Sequence, residues 1–431
     1  MKNKKKMNIA IIGLGNIGSY LYKYLQKNKI ILSKKNNCIP NIVFVSAKNR
    51  NKKRSFKINK KIWLKNYISS TKSKNVDIII ELIGGAEGPA KKLVFNALKN
   101  KKHVVTANKA LIAKYGDQLS KIAEKNKVNL EFEAAVCGGV PIIRSLKEGL
   151  IANKISKVYG VFNGTSNYIL SSMDKENKNF KEVLNIAKNK GYAESNPLSD
   201  LNGDDVASKL KILSSLCFNS FINHKIHVEG INFIDSTDID NANKLGYKIK
   251  LLGVSDIINN TVYQRVHPTL VEKSSYMAGI DGVLNAVIVE GKPVGENVIQ
   301  GEGAGAEATT SALISDISSI LRGNIKFPFS ISSKERKKLK FKDISERLFS
   351  AYLRFEVLDK PGVLSKITNI FSKNGVSIKR LIQNPYKSKK FSSIVIVTHD
   401  SKDKFLNKII KQIKNKPYLI KKPKLIRIGT N

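Results

Sequence analysis

A short apolar run at residues 8–12 stops at Gly13 and gives way to a helical stretch over 19–26. Similar runs follow at 42–46, 76–83, 103–106 and 129–134, with a helix expected at 89–98. Strands interleaved with helices imply a parallel, doubly wound sheet. Beyond Pro141 the pattern changes: strands are expected at 159–162, 225–228, 261–266 and 283–290. Helices are expected after the polar turn 163–167, from about Asp204, and over 309–321. A basic stretch carrying Pro328 then reads as a linker. After it come a strand at 352–358, a turn at Asp359-Lys360-Pro361-Gly362 and a helix at 363–372. Strands at 377–384 and 392–399, a helix at 405–413 and a strand at 425–428 complete a β-α-β-β-α-β, ferredoxin-like order. The expected class is α/β, with a doubly wound domain at 1–141, an α+β domain at 142–325, a linker at 326–350 and a small module at 351–431.

The helix from Asp204 carries the chemistry that stands out. Asp204 is an N-cap residue type. At about 100° per residue, Val206, Leu210, Leu213 and Cys217 share an apolar arc that Ile212 and Leu216 extend. Asp205 and Lys209 fall inside that arc, while Ser208, Lys211, Ser214 and Ser215 are expected on the other side. A solvated i,i+4 pair is the bland reading, worth about 0.2–0.5 kcal/mol. A charge on a buried face must instead be paired or line a cavity, so this acid and lysine are a site candidate.

At the first strand, Gly13-Leu14-Gly15-Asn16-Ile17-Gly18 lies between strand and helix, the context in which G-x-G-x-x-G signals a dinucleotide. The glycines permit a tight turn and close approach of a pyrophosphate, and the helix start offers free N–H groups. No acid occurs between Gly18 and Asp77, where an NAD-binding strand usually supplies one for the ribose hydroxyls. The second strand instead ends in Ala47-Lys48-Asn49-Arg50, a basic end suited to a 2′-phosphate and hence to NADP. Lys109 follows the strand that ends at Thr106 and so faces the cofactor cleft. The cluster Gly301–Ala306 heads a helix as a second anion contact or as a mere tight turn; both stay open.

The net charge of +42 changes this picture little. Only ten of the 76 basic residues are Arg, and the lysines are spread along the chain rather than blocked. That is the imprint of codon bias toward Lys, Asn and Ile, and no specific nucleic-acid site is expected, although low-salt affinity stays open. Cys38, Cys137 and Cys217 are far apart, which suits a reducing compartment and argues against a zinc or disulfide framework. The apolar run near the start is too short for a signal peptide, and no run is long enough for a membrane span.

The segments VVTANKALIA, EAAVCGGVPII, FNGTSNYIL, GYAESNPLSDLNGDDVASKLKIL and GEGAGAEATTSALISD resemble signatures of homoserine dehydrogenase in the form that carries a C-terminal ACT domain. DKPGVLSKI is similar to the ACT signature, and the resemblance covers nearly the whole chain. It implies a Rossmann-type NAD(P) domain, a substrate and dimerisation domain, and an ACT module that binds an amino acid, with threonine as the inhibitor. It implies interconversion of L-homoserine and L-aspartate 4-semialdehyde on the way to threonine, isoleucine and methionine, in the cytoplasm, by a homodimer or homotetramer. Glu194 and Asp205 match the substrate-holding carboxylates, Lys209 the proton donor and Lys109 the second active-site lysine. Thr106, Gly191 and Gly303 match cofactor contacts and Gly305 a substrate contact. Glu133, Val136, Gly138 and Val140 match a loop that holds a monovalent cation, Na⁺, mainly through carbonyl oxygens, with Cys137 where small residues are common. Two other readings of the residues stand beside this one: a different NADP-dependent dehydrogenase of amino-acid metabolism, and an amino-acid-sensing or nucleic-acid-binding protein without catalysis.

Overall fold

The computed structural model describes residues 4–223, 225–385 and 390–430. Five parallel strands, β1 (Lys5–Ile12), β2 (Cys38–Ser46), β3 (Ile78–Glu81), β4 (His103–Thr106) and β5 (Leu130–Glu131), form the first sheet in the order β2-β1-β3-β4-β5. Ile9 and Ile11 pack to one side of β1 and Ala10 and Ile12 to the other, and all are buried. Helices Pro89–Lys99 and Lys109–Asn126 cover one face. The other is covered by helix Asn16–Lys27 and by Ala306–Leu321, whose Leu313 and Ile317 join Ile9, Ile11 and Leu21 in one cluster. Residues 306–321, assigned by sequence to the second domain, thus return to complete the first. Strand order reverses between β1 and β3, which opens a crevice at their carboxyl ends.

The second sheet comprises β6 (Lys154–Val161), β7 (His227–Val228), β8 (Tyr247–Ile258), β9 (Thr261–Glu272), β10 (Leu284–Lys292), β11 (Gly295–Glu302), β12 (Lys340–Lys342), β13 (Leu348–Leu358), β14 (Ile378–Pro385), β15 (Phe391–Thr398), β16 (Ser401–Lys402) and β17 (Lys424–Ile428). Its main path is β11-β10-β6-β8-β9-β17-β13-β15-β14, so the substrate domain and the C-terminal module share one sheet. The join is parallel pairing of Arg427 with Thr269 and of Ile428 with Leu270. The stretch expected to be a linker packs along the same seam: β12 pairs with β9, and β13 begins at Leu348.

Helix Asp204–Cys217 lies against β6 and β8. Two expectations about it need correction. Gly203, at φ +89°, is the N-cap, and Asp204 is the first helical residue. Ser214 and Ser215 are buried rather than solvent-facing, because Ser214 meets Ser255 of β8 and Ser215 donates to the carbonyl of Ser220. Among the described residues no helix is long and apolar enough to cross a membrane.

Candidate active site

Asp205 and Lys209, one turn apart, are 3% and 8% exposed, so the inward-facing pair is real. Lys209 Nζ sits 2.8 Å from Asp205 Oδ2 and donates to the carbonyl of Phe162 at 2.6 Å. Lys109 Nζ reaches Asp205 Oδ1 at 2.5 Å from the first residue of its helix on the cofactor domain. One carboxylate therefore takes an ammonium on each oxygen, one from each domain. The Lys109 side chain is 41% exposed and forms the outer, cleft-facing member.

Asn163 completes the cluster. Its Oδ1 caps helix Gly164–Glu176, and its Nδ2 donates to Asp200 at 2.7 Å and Asp205 at 2.9 Å. Burial alone would raise the Asp205 carboxyl, but Lys209 and then Lys109 outweigh it and hold the group well below the usual carboxylate range. Burial and the charge of Asp205 push Asp200 the other way, upward. For Lys209, burial opposes the charge, yet Asp205 prevails and the net shift is up. Neighbouring acids driven apart in this way are a mark of acid–base sites. Asp200 and Asn163 were missed as individual site residues, although both lie in segments whose resemblance is noted above. Glu194 lies exposed on the loop after Gly191 (φ +72°) and makes no ion pair among the described residues.

The crevice of the first sheet is lined by Gly15, Asn16, Ile17, Gly18, Glu81, Leu82, Ile83, Gly84, Ala107 and Asn108 and encloses about 280 Å³. Gly13 has φ +110°, and a Cβ there would meet the Leu82 carbonyl at 2.3 Å. A Cβ on Gly18 would meet the Gly13 carbonyl at 1.9 Å. Gly15 faces open space and caps helix Asn16–Lys27 without a side-chain hydrogen bond, which leaves N–H groups for an anion. These features fit a dinucleotide. Thr106 Oγ1 donates to buried Glu81 at 2.6 Å, and Glu81 accepts from the N–H groups of Ile83 and Gly84, fixing the crevice wall. Lys48 and Arg50 are exposed beyond β2, and the guanidiniums of Arg50 and Arg54 both lie over the Trp63 ring, at 5.5 and 5.4 Å.

The two other glycine-rich segments meet. Gly139 N–H donates to the Glu302 carbonyl at 2.9 Å, and a Cβ on Gly138 would lie 2.5 Å from the Gly303 carbonyl. Gly303 in turn has no room for a Cβ against Asn285, and Gly305, at φ +105°, caps helix Ala306–Leu321. Glu133 is buried with both oxygens accepting N–H groups, from Ile143 at 2.8 Å and Arg144 at 2.7 Å. Burial still pushes it up to about 7. Cys137, at φ +55°, is pushed up to about 11 by burial and so stays a thiol. Among the described residues no group of three or more His, Cys, Asp or Glu is placed to hold a metal ion.

Residues 13–133 match the family model "Homoserine dehydrogenase, NAD binding domain" and residues 141–318 the model "Homoserine dehydrogenase". The homoserine dehydrogenase of Neisseria gonorrhoeae is 38% identical over 421 residues, covering 95% of each chain. The chain belongs to the homoserine dehydrogenase family. The enzyme is thus an NAD(P)-dependent oxidoreductase acting on a CH–OH group. The Helicobacter pylori homoserine dehydrogenase is 37% identical with 99% of each chain covered. A Thiobacillus denitrificans homoserine dehydrogenase structure superposes with a TM-score of 0.92 at 35% identity, over 100% of this chain and 99% of that one. Residues 353–421 match an ACT domain of the acetohydroxyacid synthase small-subunit type. These matches remove the reading without catalysis.

Proposed function

We propose that the dehydrogenase interconverts L-homoserine and L-aspartate 4-semialdehyde with NADP(H), with Lys209 moving the proton and Lys109 orienting the reactants. The observation that carries this is the Lys109–Asp205–Lys209 set, two ammoniums on one buried carboxylate at the meeting of the two domains. The cofactor supplies or accepts the hydride when bound. The chain's part is to deliver a proton to, or take it from, the substrate oxygen, and a lysine held as ammonium suits delivery to an aldehyde oxygen. Asp205, Asp200 and Glu194 offer carboxylates to the substrate ammonium group. Rates of NADPH oxidation with aspartate semialdehyde, for wild type and the Lys209→Ala variant, test the assignment. The reaction places the enzyme on the route to threonine, isoleucine and methionine, in the cytoplasm, where its three free, buried thiols stay reduced. Outer strand β11 leaves a sheet edge open to a second copy, in keeping with a homodimer or homotetramer.

NADP preference rests on exposed Lys48 and Arg50 at the end of β2, with Arg54 bracing their loop through the carbonyls of Asn49, Arg50 and Lys52. Lys48→Ala combined with Arg50→Ala should raise the KM for NADPH more than that for NADH. Equal changes for both would sink the preference.

A monovalent cation, Na⁺, suits the turn 136–140, where the donors are hard oxygens, the carbonyls of Val136, Gly138 and Val140, and Glu133 lies buried just ahead of it in the chain. The Val140 carbonyl already accepts from Ile142 at 2.8 Å and keeps one lone pair. Replacing Na⁺ by a bulky organic cation at constant ionic strength should lower both Tm and activity, and unchanged Tm values would count against the site.

Threonine inhibition rests on a pocket of about 360 Å³ in the ACT module, lined by Asp359, Pro361, Gly362, Gln383 and Ile394 among others. It opens at helix Val363–Lys373, whose N-cap Gly362 makes no side-chain cap bond. Deleting the module is the wrong test, because it would uncover β9. Asp359→Ala should abolish threonine inhibition at unchanged basal kcat; an intact enzyme that ignores threonine, isoleucine and methionine alike would refute sensing.

A further inference from the structure

Among the described residues, Arg354 and Arg427 each centre a charge network at the seam between the ACT module and the substrate domain, beside a cluster in which Arg265 holds Asp256 and the Thr430 carbonyl. In one, buried Arg354 of β13 binds Asp235 at 2.6 Å and Asp238 at 2.7 Å, and Lys424 joins the same acids. In the other, Arg427 of β17, fully buried, binds Asp403 of its own module at 2.7 Å and Glu229 of the substrate domain at 2.9 Å. His227 Nε2 lies 2.6 Å from the same Glu229. The two networks differ in what lies behind them.

Behind Glu229 the chain runs along the entrance to the catalytic helix. Glu229 N–H donates to the Val266 carbonyl at 2.7 Å, which ties the residue to β9. A Cβ on Gly230 would lie 2.3 Å from the Leu201 carbonyl and 2.7 Å from Cα of Asn202. Ile231 N–H donates to Leu201 at 2.9 Å, and Asn232 Nδ2 to Asn202 Oδ1 at 2.7 Å. Gly203, at φ +89°, sits with its missing Cβ 3.1 Å from Val228. Residues 228–232 are thus moulded onto 201–203, and 201–203 connect Asp200 to Asp205. At Gly230 and Ile231 backbone meets backbone, so no side-chain rotation can absorb a shift there.

We propose that the Arg427–Glu229 pair across the domain seam is a positioning device for the substrate side of the active site, setting Asp200 and Asp205 through residues 230–232 and 201–203. The inference rests on the active-site reading above. It makes Glu229 and Arg427 positioning residues, and it gives the ACT module a direct mechanical route to the substrate carboxylates, one that avoids the cofactor crevice.

The test uses the full-length enzyme with Glu229→Gln, Arg427→Met, Arg427→Lys and, as control, Arg354→Met. Glu229→Gln and Arg427→Met should each raise the homoserine KM about tenfold. The KM for NADPH should stay unchanged, and Arg427→Lys should recover most of the homoserine effect. Arg354→Met breaks the other network and should lower Tm without moving the homoserine KM. A homoserine KM within about twofold of wild type in both Glu229→Gln and Arg427→Met overturns the proposal. So does an Arg354→Met enzyme whose homoserine KM rises equally, since loss of docking alone would then explain the effect. If either Glu229→Gln or Arg427→Met fails to fold, the other decides by the same thresholds, read as the ratio of homoserine to NADPH KM. Failure of the active-site reading looks different: Asp205→Asn and Lys209→Ala would then both retain wild-type rates whatever the seam variants do.

Discussion

Lys209→Ala should lower kcat by about 10²–10⁴-fold, the usual contribution of a positioned acid–base group, with little change in the homoserine KM. The fold should tolerate the change, because Asp205 keeps Lys109 as counter-charge at 2.5 Å and is not left as a lone buried anion. The Phe162 carbonyl loses this donor, while Asp205 Oδ2 keeps the Asn163 amide at 2.9 Å. Lys109→Ala leaves the inner pair intact, so the two variants separate proton transfer from orientation. The pH profile supplies a second reading. The Lys209 ammonium is favoured in the folded enzyme by Asp205 in spite of burial. A raised lysine contributes stability that is present below its unfolded pKa and lost as pH rises through the folded one. Aldehyde reduction should therefore hold through neutral pH and fall only above the ordinary lysine range. Asp205→Asn removes the favourable charge and leaves burial, so the descending limb should move to lower pH. If Lys209→Ala keeps the wild-type profile and most of the rate while Lys109→Ala loses both, the roles are reversed.

Gly18→Ala should raise the KM for NADPH on the order of 10–100-fold and lower Tm, as overpacking costs about 1–3 kcal/mol and each 1.4 kcal/mol is tenfold. The clash is between backbone and Cβ, 1.9 Å from the Gly13 carbonyl, so no rotamer change relieves it. Gly15→Ala is the informative companion. Nothing lies within 4 Å of its added Cβ, so Tm should not change. The methyl group would instead stand where the pyrophosphate approaches, and cofactor binding should weaken. A Gly15→Ala enzyme with wild-type NADPH KM would move the phosphate site elsewhere.

The glycine fingerprint and the inward charges of helix Asp204–Cys217 were legible because each is a short-range pattern. A strand, three glycines and a helix start occupy consecutive residues, and one turn of helix fixes Asp205 beside Lys209 whatever the rest of the chain does. The ACT order was legible for the same reason, from apolar periods between residues 352 and 428. Helical periodicity was less informative once burial became nearly complete: Ser214 and Ser215 look solvent-facing on the wheel, yet a second layer covers them.

Sequence by itself determined which segments form strands and helices, which face of each is apolar, and that a dinucleotide turn and a buried acid–lysine pair exist. Tertiary structure decided the partners. Lys109 meets Asp205 only because two domains close on each other, and Asp200 joins them only through Asn163. Glu194, read as part of the same set, stays on an exposed loop without an ion-pair partner among the described residues. Helix Ala306–Leu321 crosses back to the first sheet, and β17 pairs with β9 so that an expected separate module continues the substrate domain's sheet. The physical reason is that periodicity reports that a face must leave water, a local and non-directional demand. Which surface or sheet edge meets it depends on shape, register and charge brought together from residues hundreds of positions apart, such as Glu229 and Arg427.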